Sequence, residues 1–537
     1  PLADRGPNGV TAPQPTAPVP PVLGDDDVVV RSAARGSAFN MVGAVLAAVL
    51  GFVTVGTITN TYGQTGAGLF FSGTALFTLA ANATRLGGES GLTFFVSRLR
   101  AAGNNGAIKS LARIALGATG LASVVLAVIG FIWAPALARL LTTEAGNETT
   151  MVTVIRVLSV AMPSFALSQS LFGATRGFGT MRPSVVAGQI VRPIAQLLFV
   201  LAVVLISDRL WPLSLAWGAA SVVCMAVVGG WLMRRLRRIS AAEVSFPAGE
   251  YWRFTAPRAA GDLVASLLER VDILLVAYFL SEADAGLYGA SNRLIIAGQL
   301  MIFATSQAMA PHLSASFGQG RSDIARALLT RITGWNITLL WPLFFGLFFG
   351  AETVLALFGE DFVEAAPVVQ VLALSLVIVV GLGVGDTLLL MTGDSLASLI
   401  NHLLALAVMV GASALLLPRV GVVGAAWAWG LSRVLMRILS VGRVWQTERV
   451  HLFVPSVGLA ALVATVSWVP AGLVAYRYID NKLAALAAHI LIGGLVHIGF
   501  GLWFRKQLEL DQLVAVVFRR HSNEERDVAP SPDGAER

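Results

Sequence analysis

The chain holds a single cysteine, Cys224, in 537 residues, so no disulfide closes within it and redox chemistry says nothing about its compartment. Charge is scarce too. Asp, Glu, Lys and Arg make up 13% of residues against 56% hydrophobic ones, and the mean hydropathy is +0.74. One soluble core cannot bury that much apolar surface, whereas a bilayer accepts it, so the balance excludes a soluble globular protein. No G-x-x-x-x-G-K-[ST] phosphate loop appears, and no soluble domain is present to carry one, so ATP-driven transport by this chain alone is not expected. His402, His489 and His497 fall in separate apolar stretches without a second ligand at metal spacing. They read as structural, and neither a metal nor a cofactor is expected.

What the chain does have is one apolar run after another. A helix rises about 1.5 Å per residue and needs about 20 residues to cross a 30 Å hydrocarbon core. About fourteen segments qualify by that length. They begin with Ala38–Thr59 and Ala67–Thr84 and end with Val454–Ala475 and Leu483–Phe504. The expected fold class is an all-α, polytopic membrane protein. Roughly 28 of the 38 Lys and Arg fall on the N-terminal side of the alternating loops, which predicts that both termini are cytoplasmic. The +7 net charge therefore reports topology rather than nucleic-acid binding. No cleavable signal peptide is expected, because the apolar stretch from Ala38 is too long for one.

Residues 1–36 are rich in Pro, Ala, Gly and Asp, and 521–537 are polar; neither buries enough apolar area to offset the entropy of ordering, so both are expected to be disordered tails. Residues 505–520 place Leu508, Leu513, Val517 and Phe518 mainly on one side of a helix flanked by basic residues, which predicts an interfacial helix.

Three landmarks recur about 215 residues apart in the same order. Ala67-Gly68-Leu69-Phe70 is answered by Ala285-Gly286-Leu287-Tyr288, Leu111-Ala112-Arg113 by Leu329-Thr330-Arg331, and Ala216-Trp217-Gly218 by Ala428-Trp429-Gly430. Six spans per half is an even number, so the halves enter the membrane from the same side as a parallel repeat. The expected organisation is an N-lobe at 37–238, a basic cytoplasmic linker at 239–258, a C-lobe at 259–441 and an appended pair of spans at 442–504. In such architectures the substrate site lies between the lobes near the midplane, and the lobes rock about it.

Asn60-Thr61-Tyr62-Gly63-Gln64-Thr65-Gly66-Ala67-Gly68-Leu69-Phe70 resembles the first-loop pattern of polysaccharide-biosynthesis membrane proteins, the oligosaccharide flippases of the multidrug/oligosaccharidyl-lipid/polysaccharide exporter superfamily. Arg176-Gly177-Phe178-Gly179 with Arg182-Pro183, Asp272-Ile273-Leu274-Leu275, Leu357-Phe358-Gly359 with Phe362, and Pro418-Arg419-Val420-Gly421 extend the similarity along most of the membrane region. The resemblance implies a two-lobed flippase for undecaprenyl-linked glycans in the cytoplasmic membrane. Its implied partners are the lipid-linked glycan, membrane lipids, and proteins of glycan synthesis and polymerisation. It also implies that spans one, two, seven and eight line the cavity. The peptidoglycan-precursor flippase of this superfamily usually carries an Arg in its first span, and Ala38–Thr59 has no charge, which points away from that substrate.

A charge at bilayer depth costs at least about 2.5–3.5 kcal/mol on insertion scales, so charged residues within spans are the natural site candidates. In span five, Gln189, Arg192 and Gln196 share one helical face, a stripe suited to a phosphate or sugar acid. Arg192 either faces a cavity or, being only a few turns into the span, extends to the interface. In span seven, Asp262, Glu269 and Asp272 share roughly one face with Arg270 about 100° away. Asp272, Glu269 and Asp386 are candidates for ion coupling or charge balance; the alternative for Glu269 is an ion pair that locks packing. Arg293 joins Arg192 and Arg270 as a substrate-binding candidate, and its repeat partner, span two, adds Asn82 and Arg85.

Three functions compete at this stage. A glycan flippase needs fixed guanidinium groups for the anionic oxygens of a sugar-pyrophosphate. A multidrug cation exporter needs carboxylates and aromatics, which the three arginines oppose. A membrane-embedded glycosyltransferase or polymerase needs acid–base carboxylates and a long outer loop, and Asn60–Gly66 has no acid.

Overall fold

The computed structural model of the protein describes residues 26–239, 244–296, 298–299, 322–383, 389, 395–448 and 454–510. The described elements are all helices and turns. In chain order the main helices are α1 (Asp26–Ala83), α2 (Gly88–Ala101), α3 (Ala107–Ile132), α4 (Ala145–Gly177), α5 (Arg182–Val204), α6 (Leu210–Arg237), α7 (Ala248–Phe279), α8 (282–296), α9 (Ser322–Phe349), α10 (Ala366–Gly381), α11 (Ser395–Val420), α12 (Val423–Glu448), α13 (Pro455–Tyr478) and α14 (Lys482–Trp503). Among the described residues, ten helical stretches are long and apolar enough to cross a membrane, the first of which, Val42–Ala101, takes in both α1 and α2 and the turn at 84–87 between them.

The burial pattern is that of a bilayer protein. Leu121 is 69% exposed and Val160 72%, whereas Ser168, Ser170, Thr119 and Ser214 are fully buried. Branched apolar side chains face outward because hydrocarbon suits them. Small hydroxylated ones line helix contacts and give their protons to their own helix, as Thr54 does to the Leu50 carbonyl at 2.7 Å. Glycines let helices close in: a methyl group on Gly73 would sit 2.6 Å from Val154 Cγ1, and one on Gly218 the same distance from Ala161 Cβ.

Within the first 239 residues the strongest packing is α4 on α6 and on α3. In the second half α11 packs on α12, α10 on α12, and α9 on α10. The halves meet where α1 packs on α7. Helix α13 pairs with α14 and with α9, and His489 there contacts the Trp468 carbonyl at 3.0 Å.

Four sequence expectations are refined. The helix reaches back to Asp26, inside the segment expected as a tail, because extending an existing helix costs far less than nucleating one; residues 1–25 and 521–537 lie outside the described residues. The loop expected at 60–66 is a single break at Gly63 (φ 65, ψ −170) inside α1, a conformation that glycine alone adopts without strain. The linker at 239–258 is helical from Ala248 onward, and residues ahead of it are pinned to α3: the Ser110 hydroxyl accepts from the Phe246 N–H at 3.1 Å. Residues 505–509 form turns with Glu509 at φ 52, tied to α9 by the Arg331–Glu509 ion pair; the rest of the expected interfacial helix, 511–520, lies outside the described residues.

Candidate functional site

Between the halves lies a cavity of about 670 Å³, walled by both arms of α1, by α5, α6, α7 and α8, and by part of α9. Helix α5 supplies Gln189, Arg192 and Gln196; α7 supplies Glu269, Arg270 and Asp272; α8 supplies Asn292 and Arg293. Seven of the sequence candidates thus share one cavity.

Local backbone geometry places the α5 stripe. Pro193 has no N–H to donate and its ring crowds the preceding turn, and the helix absorbs this by widening to a π-helical segment over Val186–Val191. Arg192 follows directly on that segment. Its guanidinium lies 5.3 Å from the Phe165 ring centroid, a cation–π contact that covers one face and leaves the N–H edge free. Gln189 donates to Asn40 Oδ1 at 2.9 Å, while its own carbonyl oxygen has no donor and faces Gly43 of α1.

Arg192, Arg270 and Arg293 make no ion pair or side-chain hydrogen bond with any described residue, and Nε of Arg192 and of Arg270 is buried without an acceptor. Arg270 is close enough to repel both of the others. Three cations therefore share the cavity with two carboxylates, and one of those is already engaged. Asp272, 2% exposed, accepts the Tyr288 hydroxyl at 2.9 Å and the Ile273 N–H at 2.9 Å. Glu269 is exposed. Such a chamber suits a polyanion with several oxygens, because unsatisfied guanidinium donors in an apolar wall are costly until an acceptor arrives.

Three candidates stand elsewhere. Asn82 and Arg85 lie where α1 ends: the Glu89 carboxylate bridges Arg85 and Arg176, and Arg85 also donates to Asn82 Oδ1 at 3.2 Å. Arg85 thus has a carboxylate partner that the cavity arginines lack among the described residues. Asp386 lies outside the described residues. Sequence reasoning passed over Tyr288, Asn292, Thr74, Thr78 and Trp217. Tyr288 and Trp217 were visible only as members of the repeated landmarks, and Pro193 was the one available signal of the π segment.

Beyond the lining of the cavity, segments distant in the chain meet at two places. At one the first landmarks of the repeat pack on each other: a methyl on Gly68 would overlap the Glu282 carbonyl, and one on Gly286 the Gln64 carbonyl. There Gln64 donates to the Asp361 carbonyl at 2.7 Å, and Glu282 accepts the Thr143 N–H at 2.9 Å and its hydroxyl at 2.8 Å. Burial alone would raise the Glu282 carboxyl, but its own N–H, the Thr143 hydroxyl and the N–H groups of Glu144 and Thr143 hold it below the ordinary Glu range. At the other Phe94 stacks on Phe254 with centroids 4.3 Å apart, and Arg98 pairs with Glu250 at 2.9 Å.

Residues 117–367 match the family model for polysaccharide biosynthesis protein. The fold is that of the transporters to which this family was expected to be related. A structure of the lipid II flippase MurJ in an inward closed conformation superposes with a TM-score of 0.69 at 12% identity, covering 87% of this chain and 99% of the other. An inward-facing multidrug resistance MATE family transporter of the MOP superfamily gives 0.63 at 15% identity, covering 77% and 98%. A MOP superfamily transporter from Pyrococcus furiosus, described as having a binding pocket of reversed polarity, gives 0.56 at 15% identity, covering 79% and 96%. Among curated protein sequences none matches this chain. The protein is therefore a multi-pass membrane protein with the MurJ and MATE fold.

Proposed function

We propose that the protein is a flippase that carries a lipid-linked oligosaccharide of the undecaprenyl-pyrophosphate type across the cytoplasmic membrane by alternating access. The observation that carries this is the trio Arg192, Arg270 and Arg293 in one cavity between the halves, unpaired among the described residues, where guanidinium forks suit the oxygens of a pyrophosphate. The match of residues 117–367 to a polysaccharide-biosynthesis family supports the glycan. In this scheme the 37–238 and 259–441 lobes rock about the cavity, the 442–504 pair is appended, and Asp272, held by Tyr288, balances charge or couples an ion. The Glu282 contacts lie on the external side and the Arg98 contacts on the cytoplasmic side, with both chain termini inside. Labelling of cysteines introduced at Glu144, Ser281 and Asp361 from outside, and at Lys109 and Arg237 from inside, checks that orientation.

A multidrug cation exporter is the second candidate, favoured by the exposed Glu269 carboxylate in the cavity. Proteoliposomes separate the two. Transbilayer movement of a labelled undecaprenyl-pyrophosphate glycan that is lost with Arg192→Ala and Arg293→Ala establishes the flippase, whereas cation efflux that depends on Glu269 and ignores both arginines establishes the exporter. In a deletion strain, the arginine variants should block surface glycan while the cytoplasmic lipid-linked precursor still accumulates, which separates translocation from synthesis.

A further inference from the structure

A second groove, of about 490 Å³, opens on the outer surface of the bundle between the start of α5 and the end of α6. Arg182 and Arg234 stand in its wall with Trp231, and Val186, Ala226, Val227 and Gly230 continue it along the helices. It has no part in the cavity between the halves. Both arginines are exposed, and neither makes an ion pair or side-chain hydrogen bond with a described residue. Gly230 has open space where a side chain would stand, and Val227 is 40% exposed, so the apolar part of the groove faces the bilayer. Trp231 is braced edge-on by Phe178 at 5.9 Å, and Arg235 also lies over that ring at 5.9 Å, so the neighbourhood of the groove is cationic.

We propose that this groove binds an anionic membrane phospholipid, its phosphate between Arg182 and Arg234 and one acyl chain along Val186, Val227 and Gly230. The two unpaired cations beside an apolar channel match such a lipid in charge and in polarity. The side chains of α5 and α6 that form the groove stand on the two helices that carry Arg192 and Trp217 of the cavity, so a bound lipid also braces that wall.

The test uses the full chain, purified in detergent and titrated with phosphatidylglycerol or with phosphatidylcholine of identical acyl chains, counting bound lipids by native mass spectrometry. The wild type should retain phosphatidylglycerol in preference. Each arginine near a surface contributes enough that Arg182→Gln should weaken retention roughly fivefold, and the Arg182→Gln/Arg234→Gln pair on the order of thirtyfold. Gly230→Leu, which the open space accommodates, should block the acyl path and lower retention with both arginines intact. Arg209→Gln, an exposed cation elsewhere, and the Arg192→Ala/Arg293→Ala cavity variant should retain lipid as the wild type does. Equal retention of the two lipids, wild-type retention by the Arg182/Arg234 pair variant, loss in the cavity variant, or displacement by millimolar inorganic phosphate would each overturn the proposal, the last by showing that the acyl contacts add nothing.

Discussion

Two groups of arginines sit in apolar helices of the same bundle. Around Glu89, Arg85 and Arg176 each reach one carboxylate oxygen, and one negative charge is shared between the two cations where they stand. In the cavity, Arg192, Arg270 and Arg293 stand together, the most buried carboxylate nearby is occupied by Tyr288 and a backbone N–H, and no ion pair forms with any described residue. Burial of charge is common to both. Both leave a buried Nε without an acceptor, on Arg85 in the first and on Arg192 and Arg270 in the second, but only the second sets three guanidiniums around an open volume with no carboxylate paired to them among the described residues, which is what a ligand can use.

The comparison breaks most visibly in transport. Arg192→Ala with Arg293→Ala should lower flipping on the order of a hundredfold while protein accumulation and thermal midpoint stay near wild type, since each lost charge-assisted bond is worth about 1.5–3 kcal/mol to a bound anion. Normal transport by that variant would reduce the cavity arginines to packing groups. Glu89→Ala should do the reverse. It leaves two cations facing each other, so stability should fall by about 1–2 kcal/mol, less than for a fully buried pair because the cluster is partly solvated, while flipping per folded molecule is retained. Thermal unfolding and transport normalised to protein level read both effects.

Arg192→Lys sharpens the contrast further. An ammonium keeps the charge but not the two-pronged fork, so an intermediate loss, about fivefold to tenfold, is expected. The smallest effect concerns the seam at Glu282. Its folded pKa is depressed, so the contribution to closure is present above the ordinary Glu range and is lost only as pH falls through the lowered value. That contribution is on the order of 1 kcal/mol. Thiol labelling of a cavity cysteine from the Glu282 side should therefore rise only in acid below the usual Glu titration, and Glu282→Gln should remove the step.

The apolar helices were legible because hydrocarbon length and apolar composition are local properties, readable from Leu213–Met233 or Val454–Ala475 without any partner. The break at Gly63 was not legible as such: what holds it are Asn60 and Gln64 reaching carbonyls of Leu357 and Asp361, nearly three hundred residues away. Gln189, Arg192 and Gln196 line the same cavity, and their placement depends on a π segment for which Pro193 was the only local hint. Arg85 and Arg293 were both binding candidates, on spans that the repeat pairs. Glu89 separates them, being able to reach the first and not the second.

By itself, then, the amino-acid order determined the medium, the helical class and the landmarks of the repeat, all of which follow from composition and short-range periodicity. Which guanidiniums share a carboxylate, which carboxylate is held by a tyrosine, and that Gly68 meets Gly286 were decided only by tertiary structure. The reason is physical: the state of a charge in a low-dielectric bundle depends on the few ångströms around it, and those neighbours come from distant parts of the chain.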